Sequence, residues 1–595
     1  MEKYKSRDLV PNEYKWDLTP FFKNEEEFNK CYEKASKLVS LLPSYEGCTK
    51  DASKLYTYLQ KEIESYMYVE DLYAYSYLKN DEVLGIAENM SRKSKAEMLF
   101  ASLSNNTSFF APELLSLSKD DYAKLFIENP KLEEFRSQLD YIYRDKDHVL
   151  TSNEEVIISS LVNACDHYED MASNLLNSEH NYGTVKIDSK DVEIATNNYS
   201  SLMKNRDESI RKDVYNKFNK KLDEYSVSNA MYLNSYVSMN DAISKLRHFD
   251  NSWDMKLFGT NINNKVYETL VKTTYDNLDV INRYFKLKRD VLGKDKLNLY
   301  DIPLELVNSK REYSIKDAQE LVRKALAPLG SEYIEKYDRI IKNRFIDYCQ
   351  YKGKCSGGYS LSTINQDSRI LLSFNGNLGS VSTIAHESGH NVHHQFLNLA
   401  NPPQYREQGS LVAEVVSLTN ECLLSLYLMD HGESKEEKLS GISNMLGVIA
   451  SNLFGAVREG KIEQDMYTEV QNGRTITKDY LDKVSYDSLK EFYGPYVELD
   501  SYAKNSWVTR SHYFMNFYLY SYAICISVAT SVASRIYNGD KELLSKYYDF
   551  MKTGSDKWPC EVFKVLGIDL EDSKVYLDAI NYFDSLITKF YEISK

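Results

Sequence analysis

Asn24-Glu25-Glu26-Glu27-Phe28-Asn29-Lys30-Cys31-Tyr32-Glu33-Lys34-Ala35-Ser36-Lys37-Leu38-Val39-Ser40-Leu41-Leu42 carries apolar side chains at Phe28, Tyr32, Ala35, Val39 and Leu42, spaced 4, 3, 4 and 3. That spacing predicts one face of an α-helix, with Asn24 and Glu27 as a capping pair at its start. Similar spacing continues through much of the first 180 residues. Of the 11 prolines none falls between Pro130 and Pro303. A stack of helices leaves such a gap, because proline breaks helix interiors. Strand signals are few. Val185 and Ile187, then Val192 and Ile194, alternate on either side of Asp188–Asp191 and predict a small hairpin. A second strand-like stretch, Arg369–Phe374, is bounded by Asp367-Ser368 and Asn375-Gly376. The expected fold is mostly α, with a small sheet beside the histidine-rich segment that follows this strand. A soft boundary near residue 195 divides a helical region with a hairpin, 1–195, from a region 196–595 that holds the chemistry.

At 595 residues the chain can bury a large core. Hydrophobic residues at 43% and charged ones at 27% are those of ordinary globular material. The net charge of -15 argues against general nucleic-acid binding, which needs clustered lysine and arginine. The first 18 residues are charged throughout and contain no apolar core of a secretory signal. No uninterrupted apolar run of about 18 residues appears, so no membrane span is expected. Cys31, Cys48, Cys165, Cys349, Cys355, Cys422, Cys525 and Cys560 are scattered without a CxxC pair. They read as reduced thiols and, with no signal, give the cytoplasm as the expected address.

The chemistry concentrates in Thr383-Ile384-Ala385-His386-Glu387-Ser388-Gly389-His390-Asn391-Val392-His393-His394, which holds four of the ten histidines. His386 and His390 stand at i and i+4, so on a helix both imidazoles reach one ion. Zinc suits imidazole and keeps one position open for water in a catalytic site. Glu387 is turned about 100° from the ligand row, beside that water rather than on the ion, where a general base belongs. A chance polar surface helix is the bland alternative, and the apolar Val381, Ile384 and Ala385 argue against it. A third ligand is needed. His393 faces roughly the same way, but positions i and i+7 lie about 10 Å apart along a helix and converge poorly on one ion. Leu411–Glu421 is a strongly apolar helical stretch carrying Glu414 and Glu421, and a buried carboxylate is costly unless paired or metal-bound. Glu414 is the expected ligand. Glu421, two turns on, reads equally well as an acceptor for a ligand imidazole N–H or as an ordinary ion-pair partner. His393 and His394 read as packing or surface residues.

These residues resemble the thimet-oligopeptidase-like zinc metallopeptidases, and within them the oligoendopeptidase F branch. The likeness extends to Glu13-Tyr14-Lys15-Trp16-Asp17-Leu18, Tyr300-Asp301, Leu372–Leu378, Ala413–Ser417, His512-Tyr513-Phe514, Phe517–Ala523, Gly554-Ser555-Asp556, Pro559 and Leu566–Asp569, so it spans nearly the whole chain. Three features depart from the pattern. Ser388 stands where an apolar residue is usual, His512-Tyr513-Phe514 replaces the commoner His-Phe-Tyr order, and Phe454–Glu463 fits only loosely. The resemblance implies a two-lobed helical body around a deep channel with one Zn2+ per chain on its wall, cutting short unstructured oligopeptides in the cytosol. Read alone, Arg510–Ala523 is an aromatic helix face packed in a core. The resemblance instead implies that His512 and a tyrosine, Tyr520 or Tyr513, with Tyr518 and Tyr522 as alternatives, donate to the oxyanion of peptide hydrolysis. Strand Ile370–Phe374 is expected to pair with the substrate backbone. Two rivals are a zinc hydrolase of non-peptide amides and a helical scaffold with a structural zinc. Structural sites are usually closed by four ligands, often cysteines, and Cys355 and Cys422 are the only nearby thiols.

Overall fold

A computed structural model describes residues 4–165, 167–307 and 309–595. It is mostly α-helical, with three small sheets among the described residues. The chain forms two compact units that alternate along the sequence. The first comprises Met1–Val149, Lys310–Tyr427 and Val532–Ile568, and the second Leu150–Ser309, Leu428–Ser531 and Asp569–Lys595. The expected division near residue 195 therefore falls inside the second unit. There the hairpin packs against the 39-residue helix Glu208–Leu246.

In the first unit the expected amphipathic helix runs Glu25–Leu41, and Phe28, Ala35, Val39 and the following Leu42 are buried in one apolar core. Asn24 caps it by accepting from the Glu27 backbone N–H at 3.0 Å, while the Glu27 carboxylate reaches back to the Lys23 N–H. Helices Ala52–Glu82 and Ala87–Thr107 pack onto it. The sheet has Arg369–Phe374 at its centre, parallel to Ile346–Cys349 and antiparallel to Tyr359–Leu361. Ile370 and Leu371 are paired on both sides, so of the stretch Ile370–Phe374 expected to pair with substrate only Leu372–Phe374 runs past the Tyr359–Leu361 pairing; the sheet's two edge strands are Ile346–Cys349 and Tyr359–Leu361.

In the second unit the predicted hairpin pairs Thr184–Ile187 with Lys190–Glu193, placing Val185 opposite Val192. Asp188 and Ser189 both take positive φ, 49° and 65°, as a two-residue turn between twisted strands requires. The proline gap is filled by helices, including Glu208–Leu246, Asn264–Tyr275 and Leu278–Leu292.

Ser410–His431, the continuous Lys435–Gln471 and Leu519–Tyr537 are long and apolar enough to cross a membrane by length and composition alone. Of their apolar windows 72%, 56% and 72% is buried inside the protein, as core helices of a large chain are. The uninterrupted-run criterion passes over them because polar residues punctuate each.

Candidate metal centre

Two helices of the first unit build the centre. Leu378–Ala400, the histidine helix, starts at Asn377, whose side chain accepts from the Ser380 N–H at 2.9 Å. The Ser380 hydroxyl also donates to Asn375 Oδ1 at 2.7 Å, tying the helix start to the end of the central strand. Ser410–His431, the glutamate helix, crosses it closely. The crossing depends on Gly389, where an added Cβ would lie 2.7 Å from Ser417 Cα and 3.0 Å from Ser417 N. It is tied down by Asn420, whose Nδ2 donates to Ala385 O at 2.9 Å while its Oδ1 accepts from Tyr333 Oη at 2.8 Å.

With the helices so placed, three donor groups converge. His386 Nε2 and His390 Nε2 are 3.2 Å apart, and Glu414 carboxylate oxygens lie 3.4 Å from the first and 3.7 Å from the second. A tetrahedral ion with bonds of about 2.05 Å sets its donor atoms about 3.3 Å apart. The triangle therefore fits such an ion, and two imidazoles with one carboxylate are a donor set suited to catalytic zinc. Among the described residues no other group of histidine, cysteine, aspartate or glutamate side chains converges this way, and no cysteine takes part. The three side chains keep 21–29% of their surface exposed, so one side of the triangle is open.

Around the triangle the charge is negative. Glu421 Oε1 sits 2.7 Å from His386 Nδ1, and its Oε2 accepts from Ser382 Oγ at 2.7 Å. Ser417 Oγ donates to Glu414 Oε2 at 3.0 Å. Burial opposes charge on His386, but the Glu421 carboxylate more than offsets it and pushes the pKa up to about 9. Burial, and then the neighbouring His386 charge, push His390 down to about 3. Glu387 is buried, which raises its pKa to about 7 against the opposing pull of His386. Three carboxylates about two imidazoles make a site for positive charge.

The neighbouring residues are accounted for by packing. His393 is buried, stacks on Phe550 and is held near pKa 3 by burial. His394 Nδ1 meets Asn398 Nδ2 at 3.3 Å. Ser388 is fully buried, and its hydroxyl has no hydrogen-bond partner among the described residues.

The His/Tyr segment belongs to the second unit. Tyr513 is fully buried and donates to Glu459 Oε2 at 2.9 Å, where Arg458 and Arg510 also pair. Tyr520 is 4% exposed and packs edge-on against Trp253 and Tyr267. His512, Tyr518 and Tyr522 are half-buried. His512 Nε2 lies 3.4 Å from Tyr522 Oη, and the Tyr518 and Tyr522 rings meet edge to face. Between them Asn516 and Phe517 both take positive φ, 48° and 58°, and the Phe517 N–H donates to the buried Glu463 Oε1 at 2.6 Å. Sequence reasoning missed Glu459 and Glu463. The available signal was two acids four residues apart, on one face of the helical stretch Phe454–Glu463.

Comparison with known proteins places the chain among peptidases. Residues 201–582 match Peptidase family M3 and residues 113–182 match Oligopeptidase F. Oligopeptidase PepF of Bacillus subtilis is 27% identical over 99% of this chain and 88% of its own length. Group B oligopeptidase PepB of Streptococcus agalactiae is 27% identical over 96% of each chain. The crystal structure of a candidate peptidase from Chlamydophila abortus superposes with a TM-score of 0.91 at 26% identity, covering 99% of this chain and all of that one. Oligoendopeptidase-F from Enterococcus faecium shares the fold, with a TM-score of 0.73 at 24% identity, over 96% of this chain and 100% of its own.

Proposed function

Given that the chain belongs to peptidase family M3 and is a metalloendopeptidase, we propose that it hydrolyses short, unstructured oligopeptides with zinc held by His386, His390 and Glu414. The observation that carries this reading is the donor triangle of 3.2, 3.4 and 3.7 Å with buried Glu387 one residue along the same helix. When bound, the ion supplies Lewis acidity and lowers the pKa of water at its open position.

The chain's own residues do the rest. Glu387 takes the proton of the attacking water and returns one to the leaving amine, from a buried position one residue along the ligand helix. Glu421 accepts from His386 Nδ1, which leaves the Nε2 lone pair for the metal and fixes the ring. Leu372–Phe374, beyond the Tyr359–Leu361 pairing, offers its main chain to an extended peptide in a cleft of about 430 Å³ that passes Gly357, Gly358 and Thr383. Pairing through main-chain groups tolerates many sequences. For the oxyanion donor we propose His512 with Tyr522. Their half-buried contact suits a donor to substrate better than Tyr513, whose hydroxyl is committed to Glu459, or Tyr520, which is packed against Trp253.

The test is Glu387→Gln. Metal content by atomic absorption stays at one zinc per chain, while cleavage of a quenched peptide falls by roughly 10³-fold. A variant that keeps more than about a tenth of the rate removes Glu387 as the base.

A further inference from the structure

The first unit contains a second cleft, of about 640 Å³, that includes none of the proposed metal ligands. Its charged lining is Arg339, Lys342, Arg344, Arg369 and Arg406 against Asp17 and Asp367. That is an excess of three positive charges in a chain of net charge -15. The carboxylates are already taken, since Asp17 pairs with Arg344 at 2.8 Å and Asp367 pairs with Arg339.

Arg369, Arg406 and Lys342 have no carboxylate within ion-pair distance among the described residues. Arg369 is 1% exposed and held rigidly. Its Nε and Nη1 donate to the carbonyls of Asp17 and Asp367 at 2.8 and 2.7 Å, and its plane lies over the rings of Phe345 and Phe21. Burial lowers its pKa to about 10 against the opposing pull of Asp367 and Asp17. Half-buried Arg406 is fixed in the same way, its Nε and Nη1 donating to Asn401 O at 3.0 Å and Ile364 O at 3.1 Å. In both, Nη2 makes no hydrogen bond to a described residue. The histidine helix ends at this cleft, with Asn398 and Leu399 in its lining. Its C-terminal dipole offsets only about half a charge.

We propose that this cleft binds a small oxyanion, a phosphate or carboxylate group, between Arg369, Arg406 and Lys342. Two guanidinium groups anchored through Nε and Nη1 each keep Nη2 to donate to such an oxygen. Exposed Lys342 adds a movable charge at the mouth. The cleft is larger than a bare ion needs, so the anion can carry an organic remainder.

The experiment is isothermal titration of the zinc-loaded full chain with inorganic phosphate and, separately, with succinate. Saturable heat is expected in at least one arm, and the responding arm identifies the group. In the Arg406→Gln/Lys342→Gln double variant the affinity falls by roughly tenfold or more. Peptide cleavage without added anion is unchanged, which shows the variant to be folded. The bound anion raises the melting temperature of the wild-type chain and does so less in the variant. Absence of saturable heat in both arms overturns the proposal. Equal affinity in the double variant also overturns it, because the anion then sits elsewhere, the metal included.

Discussion

The histidine helix and the His512–Tyr522 segment were both expected to carry chemistry, yet they are built by opposite means. In the first, an uninterrupted helix sets two imidazoles one turn apart, and a glycine lets a second helix bring a carboxylate to within 3.7 Å of both. In the second, a 3₁₀ turn at Ser511–Phe514, two left-handed residues and then helix Leu519–Tyr537 break any regular period. Adjacent tyrosines there have unrelated fates. Tyr513 is buried on Glu459, Tyr520 is buried on Trp253, and Tyr522 stays half-exposed against His512. Function placed on regular helix can be read from spacing. The shape of an irregular turn depends on buried acids far away in sequence, Glu459 and Glu463.

The sharpest way to break this contrast is at Gly389. Gly389→Val drives a branched side chain into the Ser417 backbone and parts the two helices, so the purified chain is expected to hold no stoichiometric zinc and to cleave no peptide. Full zinc occupancy in that variant would show that the close crossing is not what assembles the site. The next effect separates the tyrosines. Tyr522→Phe is expected to lower kcat by roughly 10²-fold with an unchanged urea midpoint. Tyr513→Phe leaves kcat nearly intact and costs about 1–3 kcal/mol of stability, because it strips a hydrogen bond from a buried carboxylate. The reverse result would return the donor role to Tyr513. Smaller again is Glu421→Ala. Loss of the Nδ1 acceptor on His386 should weaken zinc by about 10- to 100-fold in a competition titration with a chelator, while the histidine helix keeps its melting behaviour.

Legibility in the sequence follows the same line. Helix Glu25–Leu41, the hairpin turn and strand Arg369–Phe374 were readable because local period and turn chemistry specify them. The convergence of His386 and His390 was readable because one helix holds both a turn apart. Sheet order was not. Ile346–Cys349 is buried throughout, a run whose period tells nothing of its neighbours, so the central position of Arg369–Phe374 emerges only on folding. The two compact units were also hidden, because each collects separate stretches of chain and no linker composition marks the crossings. Gly389 stood in plain view, but its role is a distance to Ser417, 28 positions away in sequence.

The weakest effect tests the irregular turn itself. Glu463 is fully buried, and burial raises its pKa to about 8, with the Phe517 N–H and Lys256 pulling the other way. A carboxyl near 4.5 in the unfolded chain and near 8 in the folded one is protonated only in the folded state between those values. Folding then takes up a proton, so this group's contribution to stability is lost as pH rises from about 4.5 to 8. Glu463→Gln keeps an oxygen for the Phe517 N–H and cannot ionise. Its stability relative to wild type, from urea midpoints at pH 5, 6.5 and 8, should therefore climb with pH. A difference that stays flat would mean that Glu463 is ionised in the folded protein. The turn carrying Asn516 and Phe517, whose left-handed backbone costs on the order of 1 kcal/mol or more per residue, would then be held by a charged acceptor instead of a neutral acid.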